Sequence, residues 1–213
     1  MGKPLPSWDE SILLHMDMQR RFAAGWGVDT QAYLETARGI GQMCVSARKA
    51  GVPVIGVVAR DRGAATVTLD SAVVVANYAE SSEGMDTDGM LVPPELTDHF
   101  FSKVTFSNCA HGGNRLLERV LGHYPARRNM IVSGCFLGNN QCLDQSLFDM
   151  SLYFPEMHFW VVTDRCIRIG ELAEARKRFA HRPNIHFITS ADIPMPALAK
   201  RRAAARHFGA AQL

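Results

Sequence analysis

The sequence predicts an α/β fold with a mostly parallel sheet, and two observations support this. Short apolar runs alternate with amphipathic helical segments along most of the chain. The first run, Ser11–Met16, is almost continuously apolar, which is typical of a parallel strand that is covered on both faces. Alternating βα units place helices on both faces of one sheet, so we expect a layered domain of this kind.

The first helix is predicted to follow with Thr30 as its cap and to end before Gly51 and Pro53. Its apolar positions recur at helical spacing: Tyr33, Leu34, Ala37, Ile40, Cys44 and Ala47. The β-rich run Val52–Ala59 is the second predicted strand. Residues 60–98 then interrupt the alternation, apart from a short Val/Ala-rich piece at 72–76. Long irregular segments in compact domains are usually functional, so we predict a lid or substrate-facing segment here.

Regular alternation resumes after this segment. The predicted strands cover residues 100–106, 129–134, 157–163 and 184–189. The predicted helices cover residues 114–123, 141–154, 170–181 and a C-terminal stretch from about 193. A chain of 213 residues is long enough for one large core. We therefore expect a single domain over residues 1–213.

Composition and charge exclude several classes of protein. Of the residues, 47% are hydrophobic and 21% charged, and the formal net charge is only +2. This charge is too small to indicate binding to nucleic acid or to a membrane surface. Five cysteines without metal-type spacing suit reduced thiols in a cytoplasmic enzyme, and no stretch reads as a signal peptide or a membrane span. We expect a cytoplasmic protein without a cofactor, a nucleic-acid partner or a membrane partner.

Cys142 is the most informative single residue because it opens the predicted helix 141–154. A thiol in the first turn of a helix lies near unpaired backbone N–H groups and the positive end of the helix dipole, which favour the thiolate. Asp17 directly follows the first strand, and Lys103 follows the run Phe100–Ser102. Ligands bind at the carboxyl ends of parallel strands, so these three side chains are candidates for one nucleophilic site.

Three stretches of the chain resemble the isochorismatase-like (cysteine) hydrolase superfamily. Residues 13–22 contain Asp17, Gln19 and Phe22 in the pattern Asp-x-Gln-x-x-Phe. Residues 103–108 are similar to the segment that carries the catalytic lysine, with Cys109 where an aromatic residue is common. Residues 131–143, together with Thr163-Asp164, are similar to the nucleophile region. The order and spacing of these pieces carry the resemblance.

This resemblance implies a three-layer α/β/α sandwich with a mostly parallel six-stranded sheet, assembled into a homo-oligomer. Asp17 is implied as the general base, and Lys103 as the residue that holds Asp17 and the thiolate and lowers the pKa of the thiol. Backbone N–H groups of Gly138 and Cys142 are the implied oxyanion hole. The implied reaction hydrolyses a small amide, carbamoyl or ureido C–N bond through a thioester.

The turn before the nucleophile departs from the superfamily pattern. Cys142 lies eight positions after Gly134, where six is usual. Counting from the strand puts Asn140 at the nucleophile position, whereas counting from the helix puts Cys142 there, with Asn140 as the helix cap. We favour the helix count, because a loop absorbs two extra residues more easily than a strand or a helix. Two alternatives stay open: a vinyl ether hydrolase that uses Asp17 and Lys103 without the thiol, as isochorismate-cleaving members do, and a non-catalytic member.

Gln19, Phe22 and Trp26 follow the Asp17 strand closely and are the predicted substrate contacts, although Gln19 is equally suited to orient a neighbour. Nicotinamidases of the superfamily bind a metal through an Asp-x-His pair and a later histidine. This chain has Arg60-Asp61-Arg62-Gly63 after its second strand. We therefore predict no metal, and Arg60 or Arg62 is suited to attract an anionic substrate.

Overall fold

Six parallel strands form one sheet in the computed structural model, which describes residues 5–23, 28–59, 89–103, 107–110, 113–138 and 140–193. The strands are β1 Ser11–Met16, β2 Val54–Ala59, β3 His99–Lys103, β4 Asn129–Leu137, β5 His158–Arg168 and β6 Ile185–Ile188. Their spatial order is β3-β2-β1-β4-β5-β6, and every neighbouring pair is parallel. The predicted fold class is therefore confirmed.

Among the described residues, four helices cover the two faces of the sheet: α1 Thr30–Lys49, α2 Gly113–Gly122, α3 Cys142–Tyr153 and α4 Leu172–Arg178. Successive side chains of a strand point to opposite faces. Leu14 accordingly packs in the cluster that contains residues of α2, α3 and α4, while Leu13 packs in the cluster that contains residues of α1. The sheet is thus the middle layer of three. Within the described residues, no helix combines the length and the apolar character that crossing a bilayer would require.

Several element boundaries differ from the sequence-based prediction. Asp29, rather than Thr30, caps α1, because its carboxylate accepts the N–H groups of Gln31 and Ala32. Strand β4 continues past Gly134 to Leu137, since its pairing with β5 persists through two register irregularities. The predicted strand piece at 72–76 and the helix from about 193 lie outside the described residues.

The end of the predicted lid segment packs against the body of the domain. Met90 forms an antiparallel bridge with Gln19, and the N–H of Leu91 donates to the carbonyl of Met18 at 2.9 Å. Val92 is fully buried. Residues 89–91 therefore lie beside the strand end that carries Asp17, whereas residues 60–88 of the predicted lid are outside the described part of the chain.

Candidate active site

Asp17 lies immediately after β1 in a left-handed backbone conformation, with φ of 54°. Aspartate is one of the residue types that tolerate this region. Its N–H donates to the carbonyl of Val57 at 2.7 Å. Its own carbonyl oxygen accepts hydrogen bonds from the N–H of Gln19 at 2.9 Å, the hydroxyl of Tyr33 at 2.8 Å and the thiol of Cys135 at 2.9 Å. The backbone that carries this carboxylate is thus held from several sides.

Lys103 ends β3 and forms a buried ion pair with Asp17. Its Nζ lies 2.7 Å from Oδ2 of Asp17, and the two side chains are only 3% and 0% exposed. Burial by itself would lower the pKa of Lys103, but the Asp17 carboxylate and Cys142 outweigh it and raise that pKa above its usual value. Lys103 therefore carries its positive charge at neutral pH.

Cys142 is the first residue of α3, and its thiol lies close enough to Asp17 and Lys103 to interact electrostatically with both. The side chain is buried, with 7% of the residue exposed. The three residues singled out in the sequence thus meet in one buried site at the carboxyl ends of the strands. The role of Cys142 as the nucleophile stays a prediction.

The protonation state of Cys142 differs from the prediction. Burial, and then the negative charge of Asp17, raise the pKa of the thiol to about 12, although Lys103 acts in the opposite direction. Loss of solvent and the nearby carboxylate thus outweigh Lys103 and favour the neutral thiol, whereas the position at the helix start was expected to favour the thiolate. In the resting site a neutral thiol faces a carboxylate that can accept its proton.

The side chain of Asp144 stabilises the turn before Cys142 by hydrogen bonds. The carboxylate of Asp144 accepts the N–H of Gly138 through Oδ1 and that of Asn140 through Oδ2, both at 2.9 Å, and it pairs with Arg178 of α4. Asp144 is 1% exposed and is the third residue of its helix, a position from which a carboxylate commonly reaches back to preceding N–H groups. We call these contacts of Asp144 the Asp144 clamp. An acidic residue at the third helix position is the sequence signal from which the clamp could have been predicted.

The predicted oxyanion hole is affected by this clamp. Because the N–H of Gly138 already donates to Asp144, an oxyanion at that position would have to displace the carboxylate. The N–H of Cys142 lies in the first helical turn, where the helix itself supplies no acceptor. Both donors stay predictions. Asn140 is not the helix cap, because it adopts a left-handed conformation with φ of 59° and Gln141 takes the cap position.

The predicted substrate contacts have different surroundings. Gln19 is buried, and its amide oxygen accepts the N–H of Ala59 at 2.8 Å while its amide nitrogen donates to the carbonyl of Ala59 at 3.2 Å. This side chain therefore ties the end of β2 to the site. Phe22 is half-buried and meets Phe136 edge to face, with ring centroids 6.0 Å apart. Substrate contact by these residues stays a prediction, and Trp26, Arg60 and Arg62 lie outside the described residues.

Over the described ranges, no three histidine, cysteine or acidic side chains are grouped so that they could hold a metal ion. The segment with Arg60 and Arg62, where the nicotinamidase pattern would have its first ligands, is outside those ranges. Metal independence accordingly stays a prediction.

The chain matches the isochorismatase domain over residues 11–185. No curated protein matches it. Among solved structures, a cysteine hydrolase from Pseudomonas syringae pv. phaseolicola 1448A is 19% identical, with 90% of this chain and 96% of that chain covered and a TM-score of 0.64. N-carbamoylsarcosine amidase from Thermoplasma acidophilum is 17% identical (87% and 99% covered, TM-score 0.58). Pyrazinamidase of Pyrococcus horikoshii in complex with zinc is 14% identical (84% and 99% covered, TM-score 0.60). The domain match spans most of the sequence, so the chain belongs to the isochorismatase-like hydrolase family.

Proposed function

We propose that this single-domain protein is a cytoplasmic, homo-oligomeric cysteine hydrolase that cleaves a small amide, carbamoyl or ureido C–N bond without a cofactor. One observation carries the proposal: Cys142 opens its helix beside the buried Asp17–Lys103 ion pair, and its thiol interacts electrostatically with both members. Two of the structural relatives are named as amidases, which supports C–N bond cleavage. Sedimentation of the purified protein tests the oligomeric state.

The first half of the proposed reaction forms a thioester. The Sγ–H of Cys142 transfers its proton to the Asp17 carboxylate, and sulfur attacks the substrate carbonyl carbon. Collapse of the tetrahedral intermediate breaks the C–N bond, and the leaving nitrogen takes the proton from Asp17. Ammonia or an amine departs, and the acyl group stays on sulfur.

The second half releases the acid. Asp17 accepts a proton from water, whose oxygen attacks the thioester carbon. The C–S bond breaks, and the sulfur of Cys142 takes the proton back from Asp17. Lys103 keeps the carboxylate in place throughout, and its charge stabilises the thiolate that forms transiently.

One alternative keeps the aspartate and the lysine but not the thiol. A vinyl ether hydrolase of the isochorismate-cleaving type would release pyruvate and no ammonia. The raised pKa of Cys142 favours this alternative, because a thiol that holds its proton is a weak nucleophile. The occupied N–H of Gly138 favours it as well, since vinyl ether hydrolysis forms no acyl oxyanion. A non-catalytic protein is the third possibility.

The test is turnover of a panel of small amides, carbamoyl compounds and ureides, with ammonia as the readout. We expect Cys142→Ala and Cys142→Ser to lose at least about 10³-fold in kcat. Lys103→Met should lose a comparable factor. Cys44→Ala is the matched control, because Cys44 is a fully buried thiol on α1 and should tolerate truncation without loss of kcat.

Each outcome points to one function. Full ammonia release by Cys142→Ala would refute the thioester mechanism. Pyruvate release from isochorismate that needs Asp17 and Lys103 but not Cys142 would establish the vinyl ether alternative. A folded wild-type protein without turnover in either panel would favour the non-catalytic role.

A further inference from the structure

The hydroxyl of Tyr33 lies among four atoms that belong to the backbone around Asp17 and to Cys135. It donates to the carbonyl of Asp17 at 2.8 Å, with the carbonyl of Gln19 as a second acceptor at 3.1 Å. It accepts the N–H of Gln19 at 3.2 Å and lies 3.5 Å from Sγ of Cys135. Tyr33 is fully buried on α1, so its hydroxyl reaches the site from the helix layer. The proposed chemistry gives this group no role.

Cys135 contacts the same carbonyl from β4. Its thiol donates to the carbonyl oxygen of Asp17 at 2.9 Å, and the residue is fully buried. Burial raises the pKa of both Tyr33 and Cys135, so both groups keep their protons at neutral pH. Groups that never lose their protons near neutral pH are suited to donate permanent hydrogen bonds, not to transfer protons.

The backbone of Asp17, which both groups contact, needs such permanent hydrogen bonds. Asp17 lies in a sparsely populated backbone region, and such conformations persist only where the surroundings impose them. Its carbonyl accepts from three donors on three different segments: the hydroxyl of α1, the thiol of β4 and the N–H of the following turn. The direction of the carboxylate toward Lys103 and Cys142 depends on this backbone conformation.

We propose that Tyr33 and Cys135 are positioning residues for the general base, which fix the left-handed backbone of Asp17 so that its carboxylate stays beside the thiol of Cys142. This inference rests on the proposed function. It assigns a mechanistic role to a tyrosine and a second cysteine that the sequence presents only as apolar core positions.

The test compares Tyr33→Phe with wild type in two readouts. We expect kcat to fall roughly tenfold, as for the loss of one buried hydrogen bond, with KM changed less than about twofold. The second readout is the pH profile of iodoacetamide labelling at Cys142, resolved from the other cysteines by mass spectrometry. Because the Asp17 charge raises the pKa of Cys142, a displaced carboxylate should move this profile to lower pH. Tyr33→Phe should therefore label faster near pH 8 while it turns over more slowly.

Tyr124→Phe is the matched control. Its hydroxyl lies 2.9 Å from Nε2 of His99, the first residue of β3. This contact is therefore at the amino ends of the strands, whereas Asp17 is at their carboxyl ends. This variant should leave both the kcat and the labelling profile unchanged. Cys135→Ser keeps a donor and should behave as wild type, whereas Cys135→Ala should shift the profile in the same direction as Tyr33→Phe. The Cys135 pair also answers the question if Tyr33→Phe fails to fold.

Unchanged profiles in both Tyr33→Phe and Cys135→Ala would overturn the inference, as would equal effects of Tyr33→Phe and Tyr124→Phe. Failure of the proposed function is a separate outcome, since it appears as full turnover in Cys142→Ala. The labelling profiles need no substrate. They report whether Tyr33 and Cys135 hold Asp17 beside the thiol even in that case.

Discussion

The Asp144 clamp offers the sharpest test of how the long turn before Cys142 is held. In Asp144→Ala the backbone N–H groups of Gly138 and Asn140 lose their acceptor, the first of them in a fully buried position. The unpaired buried N–H of Gly138 costs about 1–3 kcal/mol, whereas the N–H of Asn140, an exposed residue, can donate to water instead. Burial also raises the pKa of Asp144, which means that the folded protein does not fully compensate the ionised carboxylate for its lost solvent. We therefore expect a loss of about 1–3 kcal/mol in the free energy of unfolding.

The assay is urea unfolding at pH 7, followed by circular dichroism and by the fluorescence of the buried Trp8 and Trp160. Asp144→Asn keeps one acceptor oxygen and should lose about half as much. Asp149→Asn is the control, because Asp149 is a half-buried carboxylate on the same helix. A loss below about 1 kcal/mol for Asp144→Ala, or one no larger than for Asp149→Asn, would refute the idea that this carboxylate holds the turn.

Two further predictions concern stability. Burial lowers the pKa of His15 to about 4, whereas the unfolded chain keeps about 6.5, so the unfolded state takes up the proton first as the pH falls. The contribution of His15 to the free energy of unfolding should be fully present above pH 6.5, and about 3 kcal/mol should be lost on acidification to pH 4. Urea unfolding of His15→Gln at several pH values should show no such loss. A loss as large as that of wild type would contradict the prediction. Gly134→Ala should cost about 3 kcal/mol or more, because φ is 119° and a Cβ would lie 2.2 Å from the carbonyl oxygen of Met16. Gly41→Ala should instead raise the free energy of unfolding by about 0.5–1 kcal/mol, because Gly41 has open space around it on α1. Equal thermal unfolding midpoints for Gly134→Ala and Gly41→Ala would contradict both predictions.

The order of strands and helices was predictable because its signals are local. Buried parallel strands are short apolar runs, and each covering helix repeats its apolar positions along a few turns. All six strands were located in this way, with ends that differ by at most five residues (at the end of β5) and, for β1, with the bounds that the structure has. The continuation of β4 through Cys135 to Leu137 was not predictable, since it depends on pairing with β5, which lies more than 20 residues later.

The candidate site was predictable as a set of residues but not as an electrostatic environment. Asp17, Lys103 and Cys142 each follow from a position at a strand end or a helix start. The raised pKa of the thiol follows from burial and from the proximity of Asp17, and both depend on how distant segments pack. The role of Tyr33 was likewise not predictable. Its place in the helical pattern marks it as a core residue but does not reveal that its hydroxyl contacts the carbonyl of Asp17.

The strand order also has a consequence for the dynamics of the enzyme. Lys103 lies on β3, a five-residue strand at the edge of the described sheet, whereas Asp17 and Cys142 adjoin the central strands β1 and β4. Edge strands of this length open locally at a lower free energy than central strands do. Opening of β3 would withdraw the ammonium from the Asp17 carboxylate while the centre of the sheet stays closed. The proposed activity would then depend on the local stability of β3 and not on that of the whole domain. Amide hydrogen exchange that is faster in β3 than in β1 would measure how often the folded protein lacks this ion pair.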